Sequence, residues 1–352
     1  MTIENQIPSV TDVGEFALIE RIKTLVGSEL PPDVILGIGD DCAAIRVAKD
    51  RALIATCDMH YEETHFLREH DEDGAETIGR RAVAVNLSDL AAMGATPRFA
   101  LLSLGFPKNY ASANFDRMYK GMVERLREFG AVVIGGNLTS SGQRVVIDIF
   151  LLGEAHPDRI MKRNGARAGD RIFVTGQIGT SAAGLRMNRK YILDHVPPYL
   201  HYFTRIHNEP EPRIAFGKLL AESKLATSCI DISDGLAADL GHLCSQSNCG
   251  ARIEWNLIPR HAALHAVLPH IAPFYKGVTE EDLVLHGGED YELLFTVSAG
   301  HPVHKVQAVA DATKTEITEI GMMVESARGM LIVAEDGTEQ TLEPRGWDHF
   351  RR

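Results

Sequence analysis

Residues 76–97, ETIGRRAVAVNLSDLAAMGATP, constrain the fold more than any other stretch of this chain. They read as a helix of mostly small apolar residues, stopped at Gly94 with Pro97 beyond. A helix that is apolar on nearly every side has no solvent face and must be buried. Asn86, Ser88 and Asp89 interrupt it. A buried carboxylate has to be paired or bound to metal. Arg80 or Arg81 offers Asp89 an ordinary ion pair, and a cation is the alternative.

At 352 residues the chain is long for one core, so two domains are expected, 1–155 and 156–352. GEFALIERIKTLV (14–26) has helical spacing. AAIRV and ALIATC read as strands of a hairpin joined by Ala48–Arg51. A strand over 99–106, an amphipathic helix over 112–130 and two further strands make a βαβ-like N-terminal half. The pattern restarts near 155–170 with RIFVTG. The Pro- and His-rich stretch 194–213 reads as a long loop. SCIDISDGLAADLGHLCSQS (228–247) is a strand feeding a helix, and LVLHGGEDYELLFTV (283–297) a turn feeding a strand.

The formal net charge of −12 argues against nucleic acid, which calls for a basic face. No apolar run is long enough for a membrane span, and MTIENQIPSVTDVGEF has neither the basic start nor the apolar core of a signal peptide. Five cysteines without CxxC spacing suit reduced thiols in the cytoplasm. An acidic chain that binds phosphates must bring in cations to do so.

Acidic residues recur where that would happen. If Val47 pairs with Ala52 across the hairpin, Asp41 faces Asp58, and alternation puts Thr56 on the same face. Two carboxylates that close repel unless a cation separates them. In CIDISDGL, Ser233 or Asp234 is the natural helix cap, which leaves Asp231 unexplained. Carboxylates and a hydroxyl at a strand-to-helix turn suit Mg²⁺, a hard cation usually shared with phosphates. Gly135-Gly136 followed by Asn137 and hydroxyls, and Gly287-Gly288 before Glu289, are weaker phosphate- or ligand-facing turns. VTGQIGTSAAG lacks the Gly-Lys-Ser/Thr of a Walker loop. There is no Gly-x-Ser-x-Gly elbow, and the histidines show no zinc spacing.

Taken in order, GEFALIERI, GIGDDCA, CDMHYEETHF, AVNLSDLAAMGA, IGGN, RNGARAGD, IDISDGL, GGEDYELLFT and the terminal GWDHF resemble the thiamine-monophosphate kinase family over almost the whole chain. Single motifs are shared with the wider group of aminoimidazole-ribonucleotide synthetase and selenophosphate synthetase. The resemblance implies a two-domain aminoimidazole-ribonucleotide-synthetase-like fold, α/β followed by α+β. It also implies that the N-terminal sheet forms a barrel with its twin in a homodimer. The implied reaction moves the γ-phosphate of ATP to thiamine monophosphate with several Mg²⁺ ions. By motif, Asp41, Thr56, Asp58, Asp89, Asn137, Asp231 and Asp234 match metal positions. Gly136, Asn137, Arg163 and Ser233 match ATP contacts, and His65, Glu289 and Trp347 match substrate contacts. No general base is assigned, because a phosphate oxygen is already ionised at neutral pH.

Three places depart from the family pattern. GGDTT is GGNLT, so Asn137 stands for an acidic ligand. STDMLVEGVHF is TCDMHYEETHF, which puts Cys57 where a hydroxyl is usual and Glu63 where a glycine is. They motivate a rival expectation, a nucleotide- or thiamine-phosphate-binding homologue with impaired catalysis. A sister ATP-using synthetase is the other rival.

Overall fold

The structure is a computed structural model that describes residues 9–27, 29–67, 71–188 and 194–350. Two mixed sheets carry it. The first has six strands in the order β1-β2-β3-β6-β4-β5: β1 Val34–Leu36, β2 Ala43–Ala48, β3 Arg51–Tyr61, β4 Thr96–Phe106, β5 Val132–Ser140 and β6 Val146–Ala155. Its parallel pair, β4 and β5, is joined through a helix, as the βαβ-like reading requires. The second has seven strands in the order β13-β12-β9-β11-β7-β10-β8: β7 Arg171–Thr175, β8 Ala226–Asp231, β9 Cys249–Glu254, β10 Leu293–Val297, β11 Ile317–Glu325, β12 Met330–Val333 and β13 Glu339–Thr341.

The helices used below are α1 Val10–Val13, α2 Glu15–Val26, α3 Asp71–Ala92, α4 Ser112–Glu128, α5 Thr180–Met187, α6 His201–Asn208, α7 Ile214–Ser223 and α8 Leu236–Ser247. The small-residue helix is α3, and it is enclosed as its composition demands. Ala82, Val83, Leu87, Leu90 and Ala91 are fully buried. The inner face of the first sheet, with Ile54, Ala100, Ile147, Ile149 and Leu151, covers one side. α4 and α7 cover others at glycine crossings. A Cβ on Gly79 would stand 2.1 Å from the Met118 carbonyl oxygen, and one on Gly217 would stand 2.0 Å from that of Ala91. Small residues on α3 are what let these backbones approach. Beyond α7, Phe216 meets Phe295, which stacks on Phe173, so a single apolar core runs from the first sheet to one face of the second. A second core fills the opposite face, under α5 and α8.

Two expectations are corrected here. The β2–β3 pairing runs Ala43↔Ala55 to Arg46↔Ala52, with a bulge before Ala48↔Arg51. The extra residue, Val47, slips the register by one, so continuing the ladder would set Asp41 opposite Cys57 rather than Asp58. The stretch 194–213 is not all loop, because it contains α6, whose Phe203, Thr204 and His207 are buried. Its prolines lie outside that helix and masked a short amphipathic turn.

Candidate active site

A cleft of about 1060 Å³ opens where the first sheet, α3 and the second sheet meet. Asp40, Asp41, Thr56, Asp58, Asp89, Asp231 and Asp234 line it, and so do Arg163, Ser233, His65, Glu289 and Trp347. Oxygens of Asp41, Asp89 and Asp231 lie within 4.8 Å of one another. These three come from the β1–β2 connection, α3 and the end of β8, so no local pattern could have brought them together. Asp41 and Asp58 are not cross-strand partners, but both line the cleft, and the charge of Asp41 acts on Asp58 there.

The surroundings of each acid follow from its element. Alternation along β3 turns Thr56 and Asp58 to the same inner face. Thr56 Oγ1 donates to Asp89 at 2.5 Å, and the Asp58 backbone N–H donates to Asn86 Oδ1 at 3.2 Å. Ser88 donates to Asp231 at 2.6 Å, fully buried. The polar interruptions of α3 are thus one patch aimed at the cleft. The ion pair considered for Asp89 does not form, since Arg80 pairs with Glu128 and Arg81 with Glu289. Arg163 reaches Asp41 Oδ1 at 2.6 Å and offers its backbone N–H to Asp40. Asp41 Oδ2 is buried without a hydrogen bond.

Burial is the main cause of the carboxyl shifts. It pushes Asp231 and Asp234 up to about 7, and Asp40 to about 6. Asp41 rises as well, by burial against the pull of Arg163, and so do Asp58 and Asp89, where neighbouring acids add to the effect of burial. Crowded buried carboxylates with an orphaned oxygen and a hydroxyl partner are a donor set that a hard divalent cation fits.

The DISDGL turn is capped otherwise than expected. Neither Ser233 nor Asp234 caps α8. Asp239, within the helix, accepts the backbone N–H groups of Ser233, Asp234 and Gly235, each at 3.1 Å. That leaves both side chains at the turn available to the cleft. Asp239 was legible only as the second acid of an SDGLxxD spacing, and sequence reasoning passed over it.

The GGEDYE segment divides its acids in the same way. Asp290 accepts N–H groups from Gly179 and Ser181 at the start of α5, and Glu292 binds Arg213 and Thr175. Only Glu289 faces the cleft. Gly288, at φ +67, lets the turn lie on the Ser233 carbonyl, to which the Glu289 N–H donates at 2.7 Å.

His65 accepts the Tyr61 N–H on Nδ1, which leaves Nε2 carrying the proton, and burial holds its pKa down near 4. Its ring lies between those of His60 and His349. The terminal GWDHF closes this end, with the Trp347 N–H on the Asp234 carbonyl and the His349 N–H on Glu15 of α2.

Gly136 and Asn137 are not brought in. They lie on β5 at the exposed edge of the first sheet, and they do not line the cleft. The row Met59–Asp148–Ser103–Asn137 sets Asn137 three strands from β3. Gly136 has a reason of its own, because a Cβ there would stand 1.9 Å from the Leu102 carbonyl oxygen of β4.

Comparison with known proteins settles the family. Residues 39–155 match the AIR synthase related protein N-terminal domain, and 167–334 the corresponding C-terminal domain. The thiamine-monophosphate kinase of Bacillus subtilis (strain 168) is 34% identical over 96% of this chain and 100% of its own. That of Escherichia coli (strain K12) is 38% identical over 96% and 98%. This chain belongs to the thiamine-monophosphate kinase family. A solved structure of AaThiL complexed with AMPPCP and TMP is 32% identical and superposes with a TM-score of 0.81, covering 98% of this chain and 100% of that one. The fold expected from the family resemblance, two domains of this type, is therefore the fold observed.

Proposed function

We propose that this chain transfers the γ-phosphoryl group of ATP to the phosphate of thiamine monophosphate, giving thiamine diphosphate by direct in-line displacement. The names of its relatives and the ligands of the AaThiL complex support the substrates. The observation that carries the site is the convergence of Asp41, Asp89 and Asp231 on one point of the cleft. With Asp58, Asp234 and Thr56 they would hold Mg²⁺. Bound there, Mg²⁺ supplies positive charge that offsets the repulsion between two phosphate-bearing substrates. Arg163, with its guanidinium already at the acidic cluster, is the side chain placed to meet nucleotide phosphates from the second half. His65, Glu289 and Trp347 line the same cleft and form the acceptor wall, where thiamine monophosphate would lie. No side chain is asked to remove a proton, since the attacking oxygen is ionised.

The domain division 1–155 and 156–352, a cytoplasmic site of action and a homodimer belong to the same reading. All five cysteines are free, and no helix among the described residues is long and apolar enough to cross a membrane. Met59, Phe99, Leu101 and Phe150 stand exposed on the sheet face away from α3, which a second copy would cover. Gly136 and Asn137 keep a nucleotide role only if that face closes on a partner.

The impaired-homologue reading loses two of its motives. Cys57 points to the outer face and contacts Asp148. Glu63 sits at φ +72, where the family pattern has glycine, and pairs with Arg144 rather than the cleft.

A coupled ADP-release assay decides between the readings. Thiamine monophosphate, thiamine and aminoimidazole precursors would be compared with and without Mg²⁺. ADP release with the monophosphate alone, dependent on Mg²⁺, is expected. Asp41→Ala and Asp231→Ala should remove it while the protein stays folded by circular dichroism, and normal turnover in either would refute the metal assignment.

A further inference from the structure

Behind the acceptor wall lies a charge that the reading above does not use. Arg81, on α3, is 3% exposed and does not line the cleft. Its Nη2 stands 3.0 Å from Glu289 Oε1, so the ion pair ties the first half of the chain to the second. Its Cζ lies 5.7 Å from the ring centroid of Tyr291. None of its guanidinium nitrogens makes an aligned hydrogen bond among the described residues. Glu289 Oε2 is also buried without one, 3.7 Å from Nδ1 of His207. Burial keeps His207 neutral, which leaves Arg81 as the cation in direct contact with Glu289, with Arg186 acting on it from farther away.

A buried guanidinium so poorly satisfied is costly, and an apolar side chain would fill the space at less expense. The backbone beside it is costly too. Glu289 and Tyr291 hold φ of +60 and +51, the left-handed region that non-glycine residues avoid. Strain and an under-satisfied charge coincide at the one acid of this segment that faces the cleft.

We propose that Arg81 is a positioning residue for the acceptor substrate: it holds the Glu289 carboxylate in one orientation, so that it meets the amino-bearing, cationic heterocyclic end of that substrate. The inference rests on the kinase reading. It assigns Arg81 to the acceptor and not to the nucleotide, because Arg81 contacts Glu289 and its charge acts on His65, whereas Arg163 is the cation that contacts Asp41 of the acidic cluster. A plain structural pin between the two halves would disturb both substrates alike.

The test uses the full-length chain in the ADP-release assay, varying thiamine monophosphate at saturating ATP and the reverse. Arg81→Met is expected to raise the KM for thiamine monophosphate tenfold or more and to leave that for ATP within twofold. Arg81→Lys should recover most of the loss. Glu289→Gln and the double variant Arg81→Met/Glu289→Gln complete a cycle, and the double variant keeps the test open if Arg81→Met alone does not fold. Its acceptor KM is expected to equal that of Glu289→Gln alone, since Arg81 would act only through Glu289. A further rise in the double variant, or parallel rises in both KM values, overturns the inference. A wild-type protein that releases no ADP with thiamine monophosphate fells the kinase reading and this inference with it.

Discussion

Ser88 shows how much one hydroxyl inside α3 decides. It is fully buried and donates 2.6 Å to Asp231, which is one reason the Asp231 carboxyl is not pushed higher still. Ser88→Ala takes away that donor and leaves a cation-facing carboxylate short of a partner. A net hydrogen bond of about 1 kcal/mol corresponds to a factor of roughly five. The Mg²⁺ concentration for half-maximal ADP release should rise about fivefold, with the maximal rate changed less. An unchanged Mg²⁺ dependence would show that Ser88 is only filling space. Asp239 belongs to the same scale. It was invisible as a functional residue because a single acid within a helix reads as solvated surface, and only its three backbone partners reveal its work.

Among the elements, α3 and α4 are held by reciprocal close contacts. A Cβ on Gly79 would meet the Met118 carbonyl, and one on Gly121 would stand 2.2 Å from that of Glu76. Backbone cannot yield as a flexible side chain does, so Gly79→Ala must push the helices apart. Overpacking of this kind costs about 1–3 kcal/mol. The urea midpoint of Gly79→Ala is expected to fall accordingly, and an unshifted midpoint would mean the crossing is looser than drawn. The same spreading would carry Asn86, Ser88 and Asp89 away from β3. The hairpin register belongs to this scale as well. Its strands were legible from alternating apolar residues, but the bulge at Val47 has no side-chain signature.

At the scale of the molecule, the acidic cluster ties stability to pH and to cations. Asp231 and Asp234 titrate near 7 when folded, against 3.8 as the ordinary value. Between about pH 4 and 7 the folded chain therefore keeps protons that the unfolded chain has released. The contribution of these two groups to stability is highest below that window and is lost as pH rises through it. A divalent cation binds the ionised form, so Mg²⁺ should raise the melting temperature more at pH 7.5 than at pH 5. Equal shifts at the two pH values would sink the assignment. The outer face of the first sheet makes a separate prediction. Sedimentation should give twice the chain mass for the wild type and a single chain mass for Leu101→Lys, which puts a charge between Phe150 and the β5 edge. A wild type that sediments as one chain would remove the dimer, and with it the nucleotide role of Asn137.

Local sequence by itself determined most helices and strands of the first half, that α3 must be buried, and that the acids at 41, 58, 89, 231 and 234 are too many for turns and caps alone. Those follow from periodicity and from the cost of burying charge, both of which act over a few neighbouring residues. Tertiary structure alone decided which acids share a point, that Arg163 rather than Arg80 or Arg81 meets them, and that Glu289 faces the cleft while Asp290 and Glu292 brace the fold. Residues 41, 89 and 231 are brought together by α3 packing on both sheets, and burial first, then the distance between charges in space rather than their spacing in the chain, sets their pKa and what they can bind.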